Sequence, residues 1–250
     1  MPRLSLIVIT KNEEAAIGRC LGSANFADEI IVVDNGTTDK TAEIARGLGA
    51  RVIVTPDWPG FGPQKSRALD EATGDWVLSL DADEWIEPAL ASEIHAAMAR
   101  ANTADGYEIP RRSRFCGKIV RYGDWRGDRV LRLFRRGRGR FSADKVHEHV
   151  IVEGRIARLS WPIEHDSITD HADAAEKIDR YATAAAAQLA AEGKTSSTAK
   201  ATLRGWMAFL RGYVLRLGFL DGRTGLQVAD YNRRYTYEKW ARLAKLSRRS

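Results

Sequence analysis

Gly74-Asp75-Trp76-Val77-Leu78-Ser79-Leu80-Asp81-Ala82-Asp83-Glu84 is the stretch on which the fold turns. Trp76 to Leu80 has the length and apolar content of a strand buried on both faces, and it ends in two carboxylates one residue apart. In an open α/β sheet, ligands sit beyond the carboxyl ends of the strands. The alternation of an extended chain predicts that Asp81 and Asp83 point the same way at that rim. There they repel each other unless a cation lies between them. Hard oxygen ligands suit Mg²⁺ or Mn²⁺, ions that keep several waters and also take phosphate oxygens. Taken alone, the Asp-x-Asp spacing reads as readily as a surface turn, because Asp is common where strands end.

The preceding residues supply context. Leu4 to Thr10, Ile30 to Val33 and Arg51 to Thr55 read as strands, the first two as buried ones. Helical patterns separate them. One follows Lys11-Asn12-Glu13-Glu14 and carries Ala16, Ile17, Cys20 and Leu21 on one face, with Asn12 as its expected N-cap. The next runs from Asp39 to Leu48 with Thr37 or Thr38 as cap, and a third from Gln64 to Ala72 after a Pro/Gly loop. Alternating strands and helices mean a parallel sheet with right-handed crossovers. Three strand ends then bring Thr10 and Asn12, Asp34, and Asp81 with Asp83 to one rim, a convergence more specific than any one motif. There is no Gly-x-Gly-x-x-Gly after the first strand and no Walker lysine motif, which argues against a dinucleotide oxidoreductase and a P-loop NTPase.

Leu6-Ile7-Val8-Ile9-Thr10-Lys11-Asn12-Glu13, Val32-Val33-Asp34-Asn35-Gly36-Thr37-Thr38-Asp39-Lys40-Thr41 and Leu80-Asp81-Ala82-Asp83-Glu84 resemble, in order and spacing, three sequential motifs of the family 2 glycosyltransferases. Asn35 and Thr37 stand where serine is more usual in that family. The resemblance implies a GT-A-like open, mainly parallel sheet flanked by helices, with a C-terminal helical extension. It implies a nucleotide-diphosphate sugar donor and Mg²⁺ or Mn²⁺. It implies that Thr10, Asn12 and Glu13 line the nucleoside pocket and that Asp34 contacts the base. Gln64 and Lys65 would reach the base or pyrophosphate. Asp81 would lie near the ribose and the metal, and Asp83 would hold the metal against the pyrophosphate. A departing nucleotide diphosphate gains negative charge, so a fixed cation and a lysine aimed at it lower the barrier. For Lys65 a solvated helix face is the competing reading.

Pro88 opens a helix to about Ala101 with Leu90, Ile94 and Met98 inward. From Gly106 to Trp161 the pattern is short strands crowded with arginine, Arg111, Arg132 and Arg135 among them, which read as a solvated rim or as phosphate contacts. Arg-Leu-Phe-Arg-Arg at 132–136 and Val146-His147-Glu148 resemble the lipopolysaccharide-core glucosyltransferase branch of the family. A sheltered carboxylate there can take the proton of an attacking hydroxyl. Glu148 is the expected general base and Asp128 the runner-up. His147 and His149 are read as orienting Glu148 or a phosphate rather than as metal ligands.

At 250 residues with 44% hydrophobic content, the chain can bury a sizeable core. Cys20 and Cys116 make neither a metal spacing nor a disulfide framework. The start runs into a strand without the pattern of a secretory signal. A formal charge of +6 favours an anionic partner, whether nucleotide phosphates, anionic lipid or nucleic acid. Asp170 should cap a helix to Glu192. A second helix, Thr198 to Leu217, carries Leu203, Trp206, Leu210, Tyr213, Val214 and Leu217 on one face, with Arg204 and Arg211 opposite. A last helix ends near Leu246. From Leu203 onward eleven Lys and Arg face Asp221, Asp230 and Glu238. Aromatic residues flanked by arginines suit an anionic bilayer plane, and an ordinary helix packed on protein is the other reading. Phe209, Tyr213 and Gly218-Phe219-Leu220-Asp221-Gly222 also resemble the tail of the same branch.

Together these features predict a catalytic domain over residues 1–165, with 1–103 a nucleotide-sugar-binding half and 104–165 an acceptor-side half, followed by a helical extension over 166–250. The expected activity is inverting transfer of a hexose, from UDP-glucose or a similar donor, to a hydroxyl of a lipopolysaccharide-core or other lipid-linked glycan. The expected place is cytoplasmic, peripheral on the cytoplasmic face of the inner membrane, against an anionic membrane surface. Two other classes compete. A nucleotidyltransferase forming the nucleotide sugar would need a glycine-rich basic loop where Lys11-Asn12-Glu13-Glu14 stands. An arginine-rich nucleic-acid-binding protein would need clustered bases or a recognisable motif, so no nucleic-acid partner is expected.

Overall fold

The computed structural model describes residues 1–100, 104–142 and 149–247. Its first half alternates strand and helix as the hydrophobic pattern requires. In order come β1 (Leu4–Thr10), α1 (Ile17–Ser23), β2 (Glu29–Asp34), α2 (Thr41–Gly47), β3 (Arg51–Val54), α3 (Phe61–Asp70), β4 (Trp76–Asp81), β5 (Glu84–Ile86) and α4 (Pro88–Ala99). The later segments are β6 (Gly106–Phe115), β7 (Lys118–Ile119), β8 (Arg129–Arg135), β9 (Gly139–Phe141), β10 (Val150–Val152), β11 (Ile156–Arg158) and β12 (Ile163–Ile168). Three helices close the chain: α5 (His171–Ala191), α6 (Thr198–Leu210) and α7 (Gly222–Ser247).

Two compact units emerge, one of residues 1–111 with 128–165, the other of 112–127 with the chain from Asp166 onward. In the first, the strands run β3-β2-β1-β4-β8-β6. The pairs β3–β2, β2–β1 and β1–β4 are parallel, while β4–β8 and β8–β6 are antiparallel. β11 adds to β6 in parallel, and the start of β12 pairs antiparallel with β5. Register partners Thr10↔Asp34 and Ile9↔Asp81 bring the carboxyl ends of three adjacent strands level. Because β2 and β4 flank β1, the strand order reverses direction between β1 and β4, and a crevice opens at such a point.

Alternate residues of the parallel strands feed two cores, as expected of strands covered on both faces. Leu4, Leu6, Val8, Val32, Leu78 and Leu80 pack with Ile17, Leu21, Leu90 and Ile94 of the helices on one side. Ile7, Ile9, Ile31, Val33 and Val77 pack with Ala68 of α3 on the other. The opposite edge of the sheet is pinned by Glu29, which accepts from the Ser5 hydroxyl and from the amides of Thr73 (2.6 Å) and Gly74 (3.1 Å). Only glycine fits at 74, where a Cβ would meet the Ser5 amide at 2.8 Å and the Arg3 carbonyl at 2.9 Å.

The second unit has its own apolar centre of Phe115, Val120, Ile168, Ala174 and Val228. Asp170 caps α5 as the sequence predicts, accepting from the amides of Ala172 (2.7 Å) and Asp173 (2.9 Å). The helix expected to run unbroken from Thr198 to Leu217 stops at Leu210 and passes into a π turn, Arg211–Leu215. Gly212 is buried in that turn, and a Cβ there would lie 3.1 Å from an Asp124 carboxylate oxygen, so a wider turn accommodates the close approach.

Candidate active site

The loop after β1 is built by Asn12, in a role other than the helix cap expected of it. Its φ is 55°, and its Oδ1 accepts from the Thr38 amide at 2.8 Å, while its own amide donates to Thr37 Oγ1 at 2.6 Å. Thr37 and Thr38 are thereby used on Asn12 rather than on capping α2. Asp39 accepts from the Thr41 amide at 3.0 Å instead, and α1 starts only at Ile17. The Glu13 amide donates to Thr41 Oγ1 at 2.7 Å. The ends of β1 and β2 are thus laced into one wall.

Two polar atoms in that wall stand out. Thr10 Oγ1 and Asp34 Oδ1 are buried and meet no hydrogen-bond partner among the described residues. The other oxygen of Asp34 accepts from the Thr37 amide at 3.1 Å, which fixes the carboxylate. A buried polar group without a partner costs about 1–3 kcal/mol, a cost that a ligand with a matching donor or acceptor removes.

Gln64 and Lys65, both expected on the donor, sit differently. Gln64 is fully buried: its Nε2 donates to Thr55 Oγ1 at 2.6 Å, and its Oε1 accepts from Arg67 at 2.9 Å. Its amide ties β3 to α3. Lys65 does not lie on a solvated helix face. It is 2% exposed, with Nζ 2.8 Å from Asp81 Oδ1.

The two carboxylates that the sequence pairs part company. Asp81 ends β4, but Ala82 and Asp83 form a turn into β5, so the alternation of an extended chain does not hold across them. Asp81 places Oδ1 on Lys65 and Oδ2 on Arg132. Arg132 also bridges to Glu84 Oε1 at 2.9 Å, and Glu84 Oε2 accepts the Asp81 amide at 3.0 Å. Arg111 completes the cluster, reaching Glu84 at 3.4 Å and Asp128 at 2.6 Å. Three cations and three carboxylates balance. Burial works against the charged form of Asp81, but Arg132 and Lys65 outweigh it and hold this carboxyl far below the usual carboxylate range. Arg132 is pushed up in turn, with burial opposing and Asp81 and Glu84 prevailing.

Asp83, in the turn, lies beside a residue that the sequence reading passed over. His165 Nε2 is 3.4 Å from Asp83 Oδ2, and both side chains are partly open to solvent. His165 stands on β12, whose antiparallel pairing sets it opposite Glu84. Carboxylate oxygen and imidazole nitrogen are both metal donors, and Mg²⁺ or Mn²⁺ held near phosphate commonly takes few protein ligands and completes its shell with water and phosphate oxygens. Among the described residues no group of three or more His, Cys, Asp or Glu is arranged around a common point to hold a metal. Asp83 and His165 bring one carboxylate and one imidazole donor together at the rim, while Asp81 is ion-paired with Lys65 and Arg132.

Cys20, below this rim, donates its thiol to the Asp81 carbonyl at 3.4 Å. Burial first, then Glu84, Asp83 and Asp81, push its thiol well above the ordinary range, so it serves packing rather than nucleophilic chemistry. Glu148 and His147 lie outside the described residues. A cavity of about 300 Å³ lined by Glu93, Tyr107, Arg155 and Arg158 has none of Thr10, Asp34, Asp81 and Asp83 in its wall.

Polar strand ends thus meet at the switch point of an open α/β sheet, the place where enzymes of the α/β class bind their ligands. Residues 5–154 match the model of Glycosyl transferase family 2, and the chain belongs to that family. It is a glycosyltransferase, and its α/β sheet with C-terminal helices is the GT-A-like arrangement the resemblance implied. It is 32% identical to an uncharacterized glycosyltransferase of Rickettsia typhi, over 98% of this chain and 87% of that one. It is 30% identical to the lipopolysaccharide core biosynthesis glycosyltransferase LpsC of Rhizobium meliloti, over 95% and 93%. Among solved structures, glucosyl-3-phosphoglycerate synthase of Mycobacterium tuberculosis in complex with Mn²⁺, UDP and glucosyl-3-phosphoglycerate aligns with a TM-score of 0.38 and 27% identity, over 46% of this chain and 45% of that one.

Proposed function

We propose that this enzyme moves a hexose, with inversion, from UDP-glucose or a similar UDP-sugar to a hydroxyl of a lipopolysaccharide-core or other lipid-linked glycan. The observation that carries the donor half is the pair of buried, partnerless atoms Thr10 Oγ1 and Asp34 Oδ1 at the ends of adjacent strands. A fixed carboxylate oxygen seeks an N–H donor, which the edge of a uracil ring offers. The acceptor half is supported by the relation to LpsC over almost the whole length of both chains.

Each side chain then has a part. Asp34 and Thr10 receive the base, and Asn12 holds the loop that forms the wall. Lys65 and Arg132 keep Asp81 ionised and oriented beside the ribose. Asp83 and His165 would hold Mg²⁺ or Mn²⁺. When bound, the cation supplies positive charge against a diphosphate whose negative charge grows as it leaves. Glu148 takes the proton of the attacking acceptor hydroxyl, which displaces the nucleotide diphosphate at the anomeric carbon. Asp128 is a weaker candidate because it is ion-paired with Arg111.

Two outcomes follow for single variants. Glu148→Gln should cut turnover by roughly 10²–10⁴ while UDP binding survives, and near-normal turnover would remove Glu148 from the mechanism. Asp34→Ala should weaken UDP binding by roughly tenfold or more, the worth of one charge-assisted hydrogen bond, measured by calorimetry. Unchanged affinity would mean that the base lies elsewhere. The reading as a whole is tested by screening UDP-, GDP- and dTDP-sugars for slow metal-dependent hydrolysis. UDP-sugars should be consumed fastest, and preference for a GDP-sugar would overturn the donor assignment.

A further inference from the structure

Helix α6 is turned the wrong way round for a helix whose surroundings are only protein and water. Its buried positions are Ala201, Gly205 and Ala208, continued by Gly212 in the π turn. This seam of small residues lies against α7, where a Cβ on Gly205 would meet the Arg233 carbonyl at 3.2 Å and Tyr237 Cβ at 3.3 Å. The large apolar residues point outward: Leu203, Trp206, Met207 and Leu210 on α6, then Val214 and Leu215 in the π turn and Phe219 and Leu220 in the 3₁₀ turn that follows. Leu215 is 76% exposed and Leu203 62%. Sequence periodicity finds this apolar face but does not say whether it is covered.

The exposed tip is closely packed at its glycines. A Cβ on Gly225 would fall 1.8 Å from the Gly218 carbonyl, and one on Gly218 would fall 2.6 Å from the Gly212 carbonyl. Close backbone approaches at three glycines thus pack the turn carrying Phe219 and Leu220 onto the start of α7. Asp221 is turned inward, where it accepts from the amides of Arg121 and Tyr122, each at 2.8 Å.

Charge selects the occupant. Between Thr198 and Leu226 the basic residues are Lys200, Arg204, Arg211, Arg216 and Arg223, all exposed, and the only acid is the inward-turned Asp221. Arg211 and Arg216 share Asp124, at 3.0 and 3.1 Å, and remain more than half exposed. An exposed apolar face on an element whose exposed charges are all basic is complementary to a bilayer with anionic headgroups, the apolar side chains entering the acyl boundary and the long basic side chains reaching the headgroup level from the flanks. Among the described residues no helix is long and apolar enough to cross a membrane.

We propose that Leu203, Trp206, Leu210, Leu215, Phe219 and Leu220 form the face by which the enzyme docks on an anionic lipid bilayer. The proposal gives the lipid-linked acceptor reading its membrane, but it stands on exposure and charge and not on the donor chemistry. The test uses the full chain with phosphatidylcholine vesicles, with and without phosphatidylglycerol, in sedimentation and tryptophan-fluorescence titrations. Wild type should bind only the anionic vesicles, more weakly in high salt, with a blue shift in emission. Leu215→Glu with Phe219→Glu should weaken vesicle binding roughly tenfold or more while UDP-sugar hydrolysis in solution is unchanged. Because both side chains are already in solvent, this variant should fold, and its hydrolysis rate reports that directly. Equal vesicle binding by wild type and variant would overturn the proposal. So would a wild-type dimer that the variant converts to monomer without any lipid binding, which would make the face a contact between copies. Vesicle binding with no UDP-sugar hydrolysis would leave this proposal standing and sink the donor reading instead.

Discussion

Asp81→Asn is expected to destabilise the enzyme by about 3–5 kcal/mol, because it leaves two buried cations facing a neutral amide. Lys65 and Arg132 are nearly inaccessible to water, and Asp81 accepts from both. Removing one partner of a buried ion network costs more than the network contributes, since the remaining charges keep their desolvation with less compensation, Arg132 falling back on Glu84. For a chain of this size each kcal/mol moves the midpoint by about 2–4 °C, so thermal unfolding should shift down by roughly 10 °C. The pH dependence has a definite sign. The folded carboxyl is held far below its unfolded value, so its contribution is complete above about pH 4 and drains as the pH falls below that. The gap in stability between wild type and Asp81→Asn should therefore shrink in acid. A variant that unfolds at the wild-type midpoint, or a gap that widens in acid, would show that the cluster is not compensated as described.

Asp83→Asn carries the second large effect, and of a different kind. Asp83 sits in a turn, partly in solvent, and the buried ion pairs go to its neighbour. Stability should change little. If Asp83 and His165 hold the cation, its loss removes several kcal/mol of charge stabilisation, and turnover should fall by roughly 10³ or more. His165→Ala should raise the Mn²⁺ concentration needed for half-maximal rate, with less effect on the rate at saturating metal. The two neighbouring aspartates thus give different signatures: Asp81→Asn shows first in unfolding curves, whereas Asp83→Asn shows in kinetics with the unfolding curve little changed.

The physical reasons for what the sequence disclosed are local. Short β-branched and apolar runs such as Leu6-Ile7-Val8-Ile9 and Trp76-Val77-Leu78 favour buried strands, and parallel pairing then aligns their carboxyl ends, which brings Thr10, Asp34 and Asp81 to one rim. What it hid was distant in the chain. Arg132 and His165 reach the rim from β8 and β12, strands added antiparallel after long connections, and no spacing links either to Asp81 or Asp83. Arg132 looked like one of many solvated arginines. The expectations of Asn12 as a cap and of an extended chain across Asp81 and Asp83 both rest on regular geometry, and the chain leaves it at each place, at a left-handed residue and in a turn. The apolar stripe of α6 was legible, but which face met protein depended on the small residues between, because close packing on α7 favours Ala201, Gly205 and Ala208.

In the proposed function, the rim between β1, β2 and β4 receives a nucleotide diphosphate together with a divalent ion held by Asp83 and His165. Calorimetric titration of UDP in the presence and absence of Mn²⁺ tests it most directly, with wild type and Asp83→Asn side by side. Mn²⁺ should strengthen UDP binding to wild type by at least roughly tenfold, about 1.4 kcal/mol of coupling, and the coupling should vanish in the variant. Equal UDP affinity with and without Mn²⁺ in wild type, or coupling that survives in Asp83→Asn, would contradict this reading of the site.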